Sequence, residues 1–234
     1  MKTTDINIRD PYVLLHDGHY YLYGTRSATC WGPAEGFDCY ISNDLENWDG
    51  PFEIFKRSDD FFATQNFWAP ECYAYNGSFY LVTTLGNESI KKGIYVLKSD
   101  SPKGPFELYG KRLTPKDWTC IDGTLYFEDS VPYLIFSHSF EDTPDGDMCM
   151  LQLSSDLSEA VSAPDRVAEE IGFERFADFL LLFGRILLLS LLFFTLFAGL
   201  GVGISALRRP GEPLHRGITI SFDQIAFEQF LGQP

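Results

Sequence analysis

The chain has 234 residues, 45% of them hydrophobic, and a formal net charge of −15. That length holds one large domain or two small ones with a sizeable core, and that charge argues against a nucleic-acid partner, whose phosphates it would repel. Aromatics make up 16%, with 21 phenylalanines, a composition that suits packed sheets better than a helical bundle.

The chain opens on a polar stretch, Met1 to Arg9, without the apolar core of a signal peptide, and a cytoplasmic location is expected. Arg9-Asp10-Pro11 then leads into Tyr12-Val13-Leu14-Leu15, an Asp17-Gly18 pair and Tyr20-Tyr21-Leu22-Tyr23. Two β-rich runs joined by Asp-Gly predict a hairpin. Cys39-Tyr40-Ile41-Ser42 supplies a third strand, followed by a polar run to Trp48. The outline returns at Phe67-Trp68-Ala69-Pro70-Glu71, with a turn at Asn76-Gly77, and again at Ile121-Asp122-Gly123, with a turn near Asp129-Ser130. The turns are thus 59 and about 53 residues apart, and the first two units close alike, on Gly50-Pro51-Phe52 and Gly104-Pro105-Phe106. Gly93 to Lys98 and Met148 to Ser154 are the third strands of the later units. A repeat of this size, built from short strands and turns, predicts propeller blades. Residues 1–164 are read as blades one to three, all-β, with no convincing helical period before residue 165.

The character changes after Pro164. Residues 186–207 are 22 in a row without a charge, between Arg185 and Arg208-Arg209. That is long enough to cross a bilayer as a helix. The blade spacing offers a competing reading, preferred here: Gly184 as a fourth turn, between Phe179-Leu180-Leu181-Leu182 and Ile186-Leu187-Leu188-Leu189, makes 165–207 a degenerate fourth blade. The tail, 208–234, carries no recognisable repeat. A propeller that stops near four blades leaves a sheet edge uncovered, so the chain is expected to be truncated or altered in its C-terminal part.

The innermost strand of a propeller blade begins at the central channel, so residues at those strand starts converge. Asp10, Glu71 and Asp122 are read into this place. Several acidic groups around one axis suit glycoside hydrolysis, in which one carboxylate activates water and a protonated group serves the leaving oxygen.

The same residues carry a family resemblance. Arg9-Asp10-Pro11 with Tyr20-Tyr21-Leu22-Tyr23-Gly24-Thr25, then Phe67-Trp68-Ala69-Pro70-Glu71, then Ile121-Asp122-Gly123 with Leu125-Tyr126-Phe127 resemble the first three blades of glycoside hydrolase family 43. The Trp-Ala-Pro-Glu element is the most specific, and the likeness covers residues 6 to about 160. It implies a five-bladed β-propeller and an inverting hydrolase acting on β-xylosides, α-L-arabinofuranosides or related plant-polysaccharide linkages. It also implies Asp10 as general base and Asp122 as the residue that orients the acid and tunes its pKa. The family's acid, a fourth-blade Glu usually followed by Gly-Pro, has no counterpart here. Asp178, 56 residues after Asp122, has the best register for that role, ahead of Glu170 and Glu174. A nitrophenol leaving group, needing less protonation, remains cleavable without a strong acid.

Trp31, Phe67 and Trp68 are candidate platforms for a sugar face, and Glu71 is a candidate substrate contact; core packing and a strand-start hydrogen bond are the plain alternatives. The five cysteines are scattered and form neither zinc spacing nor an evident disulfide framework, which favours a reducing compartment. No cofactor is expected, a structural calcium in the central channel being the alternative; Asp145-Gly146-Asp147 lacks the further acids of a calcium loop. The expected partner is an oligosaccharide or polysaccharide. The alternatives are a catalytically inactive carbohydrate-binding propeller fragment and, through 186–207, membrane association.

Overall fold

In the computed structural model, which describes residues 1–167, each of the three turns expected in that range sits at the tip of a hairpin. Asp17 and Gly18 have φ of 47° and 76°, Asn76 and Gly77 of 48° and 76°, and Asp129 and Ser130 of 49° and 66°. Two consecutive positive φ values are what a type I′ turn requires, which explains Asp or Asn at the first place and Gly at two of the three second places.

Around these hairpins the chain builds three antiparallel sheets of four strands. The first runs β1 (Ile8–His16), β2 (His19–Arg26), β3 (Gly36–Ser42) and β4 (Trp48–Lys56), in that spatial order. The second repeats it with β5 (Gln65–Tyr75), β6 (Ser78–Gly86), β7 (Gly93–Ser99) and β8 (Glu107–Tyr109). The third comprises β9 (Cys120–Glu128), β10 (Val131–His138), β11 (Asp147–Gln152) and β12 (Asp165–Arg166). Its last strand therefore reaches just beyond the boundary expected at residue 164. Three sheets of one topology in succession are propeller blades. The only helical pieces among the described residues before Val167 are two 3-10 turns, Thr3–Asp5 and Ser27–Thr29. The degenerate fourth blade or membrane helix expected further on, and the tail, lie outside the described residues. No helix among those described is long and apolar enough to cross a membrane.

Two apolar layers hold the blades face to face. Between the first and second lie Tyr23, Phe37, Phe55, Phe67, Leu81 and Leu97. Between the second and third lie Val82, Ile94, Val96, Leu134, Phe136 and Leu151. Successive residues of β6 and β7 feed opposite layers, so the middle blade is covered on both faces. This is why Phe79 to Gly86 are all buried, whereas β10 alternates between buried and partly buried residues. The innermost strands neighbour one another, β1 beside β5 and β5 beside β9.

Polar contacts tie the blades as well. Asp142 accepts from Lys91 Nζ of the second blade at 2.7 Å, from the Thr119 backbone N–H, and from Thr119 Oγ1 at 3.2 Å, and lies 3.3 Å from His138 Nε2. Burial opposes its charge, but Lys91 and the Thr119 donors outweigh it and hold the carboxyl down at about 2. A depressed carboxyl adds stability that is present above its unfolded pKa, near 3.8, and is lost as pH falls through about 2. Asp142→Asn is therefore expected to lower stability at pH 7 by about 1 kcal/mol. Thermal melts of both proteins should converge as pH is lowered toward 2.

Candidate active site

Each innermost strand is interrupted, β1 and β9 once and β5 twice, its first slip falling between Gln65 and Trp68. Pairing slips between Arg9 and Tyr12 in β1, between Trp68 and Glu71 in β5, and in β9 opposite the Ile135–Ser137 step of β10. A residue with positive φ sits at each of these three: Asp10 at 50°, Ala69 at 43° and Asp122 at 56°. Asp10, Ala69 and Asp122 each precede the first turn residue, Asp17, Asn76 or Asp129, by seven positions, and so are structural equivalents. A bulge re-aims its side chain out of the regular pleat, and both aspartates are exposed. Glu71, expected on the same rung, stands two residues further along, level with Tyr12 and Thr124. Counting back from the turns, rather than matching acids to acids, finds this.

Two threonines that the motifs did not single out hold this rung. Thr25 in β2 and Thr84 in β6 are buried, at 1% and 0% exposure. Thr25 Oγ1 accepts from the Ala69 N–H at 2.8 Å and donates to Asp10 Oδ2 at 2.8 Å. An amide can only donate, so the hydroxyl proton is left for the carboxylate. Thr84 Oγ1 accepts from the Asp122 N–H at 3.1 Å. A hydroxyl on the second strand of the first and of the second blade thus clasps the bulge of the blade that follows.

Below the aspartates, Glu71 Oε2 accepts from the Tyr73 hydroxyl and from Thr124 Oγ1 at 2.8 Å. Tyr73 in turn accepts from the Leu125 N–H at 3.1 Å, and its ring lies 5.5 Å from that of Tyr12. Burial pushes the Glu71 carboxyl above its ordinary pKa, the hydrogen bonds from Tyr73 and Thr124 pull the other way, and the charge of Asp122 adds to the rise. Asp122 and Glu71 are therefore electrostatic neighbours. Burial, then Glu71, likewise raises Tyr12. A carboxyl with a raised folded pKa contributes stability that is fully present below about pH 4.5, its ordinary value, and is lost as pH rises through the folded pKa. Glu71→Gln, whose amide oxygen can still accept both hydroxyls, is expected to melt higher than the parent at pH 7, with the gain shrinking toward pH 4. Thermal scans across that range check it.

The aromatic candidates separate. Trp31, in the loop between β2 and β3, is 78% exposed and meets Trp68 edge to face at 5.5 Å. Trp68 is half-buried, donates from Nε1 to the Cys30 carbonyl at 2.7 Å, and carries Lys92 Nζ at 4.9 Å over its ring. The Arg9 guanidinium lies 5.3 Å from the Trp31 ring centre. Phe67 is a correction to the expected platforms: it is 3% exposed, and its ring packs among Phe37, Phe55 and Phe61 in the core. Alternation along β5 explains this, because neighbours on a strand face opposite ways.

Asp178, with Glu170 and Glu174, lies outside the described residues. Among the described residues no group of three or more His, Cys, Asp or Glu side chains is placed to share a metal ion. Asp147 is instead paired with Arg166 at 3.2 Å. All five cysteines are buried and free.

The family model for Glycosyl hydrolases family 43 matches residues 4–174. Among solved structures, the endo-arabinase of Bacteroides thetaiotaomicron VPI-5482 is similar with a TM-score of 0.66 at 34% identity, over 71% of this chain and 58% of that one. A thermostable family-43 glycoside hydrolase gives 0.60 at 27% identity, over 67% and 51%. An endo-1,4-beta-xylanase, also of B. thetaiotaomicron VPI-5482, gives 0.55 at 32% identity, over 68% and 52%. The chain thus spans between half and three-fifths of the length of these relatives. No curated protein sequence matches it.

Proposed function

The chain belongs to glycosyl hydrolases family 43, and on that premise we propose that it is a glycosidase cleaving pentose-containing plant glycans, of β-xylosidase or α-L-arabinofuranosidase type, by inverting single displacement. The observation that carries the reading is the clasped rung: Asp10 and Asp122 at equivalent bulges, with Thr25 donating to Asp10 at 2.8 Å. In the proposed mechanism Asp10 takes a proton from water as it attacks the anomeric carbon, and the bond to the leaving oxygen breaks on the opposite face. The attacking oxygen ends on the inverted face of the sugar. Carboxyls about 6.5–9.5 Å apart leave room for that water.

Asp122 positions the acid and tunes its pKa through its charge. Asp178 is assigned as the acid on its register in the sequence alone. Trp31, the exposed ring, offers a face for a pyranose or furanose, with Trp68 bracing it from the side. The pentose preference is supported by the endo-arabinase and endo-xylanase among its relatives, each over 30% identical. The partner is accordingly an oligosaccharide or polysaccharide.

A panel of aryl pentosides and arabinoxylan and arabinan oligomers, followed by NMR of the first anomer released, tests this. Product of inverted configuration is expected. Retained configuration would remove the single displacement, and release of hexose alone would remove the pentose specificity.

A further inference from the structure

We infer that the mouth of this site selects glycans carrying a carboxylate, that is, a uronic acid unit next to the scissile sugar, and that Arg9 reads it. The inference rests on the glycosidase reading for where the site is, and deepens it by naming the substrate's charge.

Arg9 immediately precedes Asp10 and is exposed. Its guanidinium lies 5.3 Å from the ring centre of Trp31, which is itself 78% exposed. The other described arginines are committed. Arg26 grips Asp38 through two nitrogens, at 2.7 and 2.5 Å. Arg57 and Arg112 donate to backbone carbonyls, and Arg166 pairs with Asp147. Among the described arginines Arg9 alone bonds neither a carboxylate nor a carbonyl; its guanidinium lies over the Trp31 ring, and its charge opposes the rise that burial gives the pKa of the Cys30 thiol nearby. In a chain of net charge −15, a guanidinium left without an acid beside the proposed base is out of keeping with its surroundings.

Chemistry supplies the occupant. A guanidinium presents planar paired donors that match a carboxylate, and stacking on an indole fixes its plane while leaving the N–H edge free. The same indole offers its exposed area to the sugar that bears the acid. The two neighbours thus form one subsite, with Trp31 for the C–H face and Arg9 for the charge. Lys92, the other cation near these rings, is already neutralised by Glu141, which leaves Arg9 as the reader.

The test uses xylotetraose bearing one glucuronic acid branch and an arabino-oligosaccharide attached to galacturonate, each as free acid and as methyl ester. Titrations are followed by indole fluorescence and calorimetry on the full chain. For at least one pair, the free acid is expected to bind about ten-fold tighter than its ester at low salt, the gap narrowing as salt screens it. Arg9→Gln brings the acid to the ester's affinity, and Arg9→Lys retains part of the preference. Equal binding of acid and ester, binding of neither, or a preference that survives Arg9→Gln would each overturn the inference. Hydrolysis is scored separately on the same compounds. Turnover without acid preference removes this inference alone, and acid-selective binding without turnover removes the glycosidase reading alone.

Discussion

On the proposed mechanism, Asp10→Asn is expected to lower turnover of an aryl pentoside by about 10²–10⁴-fold, the range over which a positioned general base contributes. The geometry makes this a clean substitution. Asn tolerates the left-handed φ of 50° found at residue 10, and its amide oxygen can still accept from Thr25 Oγ1. The bulge and the clasp should both persist, so thermal stability is expected to stay within about 0.5 kcal/mol of the parent. Initial rates with a nitrophenyl pentoside and a thermal melt on the same preparation check both halves. A rate within two-fold of the parent takes the base role away from Asp10.

Thr25→Val should cost both stability and rate. Valine keeps the shape of threonine but removes the hydroxyl at a position 1% exposed. The Ala69 N–H loses its acceptor, and Asp10 loses its donor. An unpaired donor in so closed a place costs about 1–3 kcal/mol. Loss of the contact that holds Asp10 in line should lower kcat by about 10–100-fold, with a smaller effect on KM, because Thr25 does not touch the sugar. Thr25→Ser, which restores the hydroxyl, should recover most of both. Kinetics and melts of the three proteins together separate this from a general loss of packing, since serine leaves a larger void than valine yet is expected to perform better.

Much of this architecture was legible because its signals are local. Asp17-Gly18 and Asn76-Gly77 announce hairpins through the dihedral angles they permit, and the spacing of the turns exposes the repeat. The equivalence of Asp10 and Asp122 is legible because each lies just before a β-rich run. Matching acids to acids puts Glu71 one rung too high; Ala69, its neighbour in the motif, is the equivalent that turn counting identifies. Phe67 reads as a sugar platform in the sequence because aromatic residues in a motif look alike in one dimension. Only the pairing of the blades shows that it faces the core and Trp68 does not. Thr25 and Thr84 escape sequence reasoning for another reason: the amides they accept from belong to the next blade, 44 and 38 residues further on, and a buried hydroxyl is common enough to pass unnoticed.

The double coverage of the middle blade has a consequence for how the protein breathes. With β6 and β7 walled in on both sides, their amides can meet water only when a neighbouring blade swings away. Deuterium uptake should therefore be slowest in Phe79 to Leu85 and Ile94 to Leu97. Because Thr84 belongs to that segment while Thr25 belongs to the first blade, the anchors of the two aspartates are expected to exchange with solvent on different clocks.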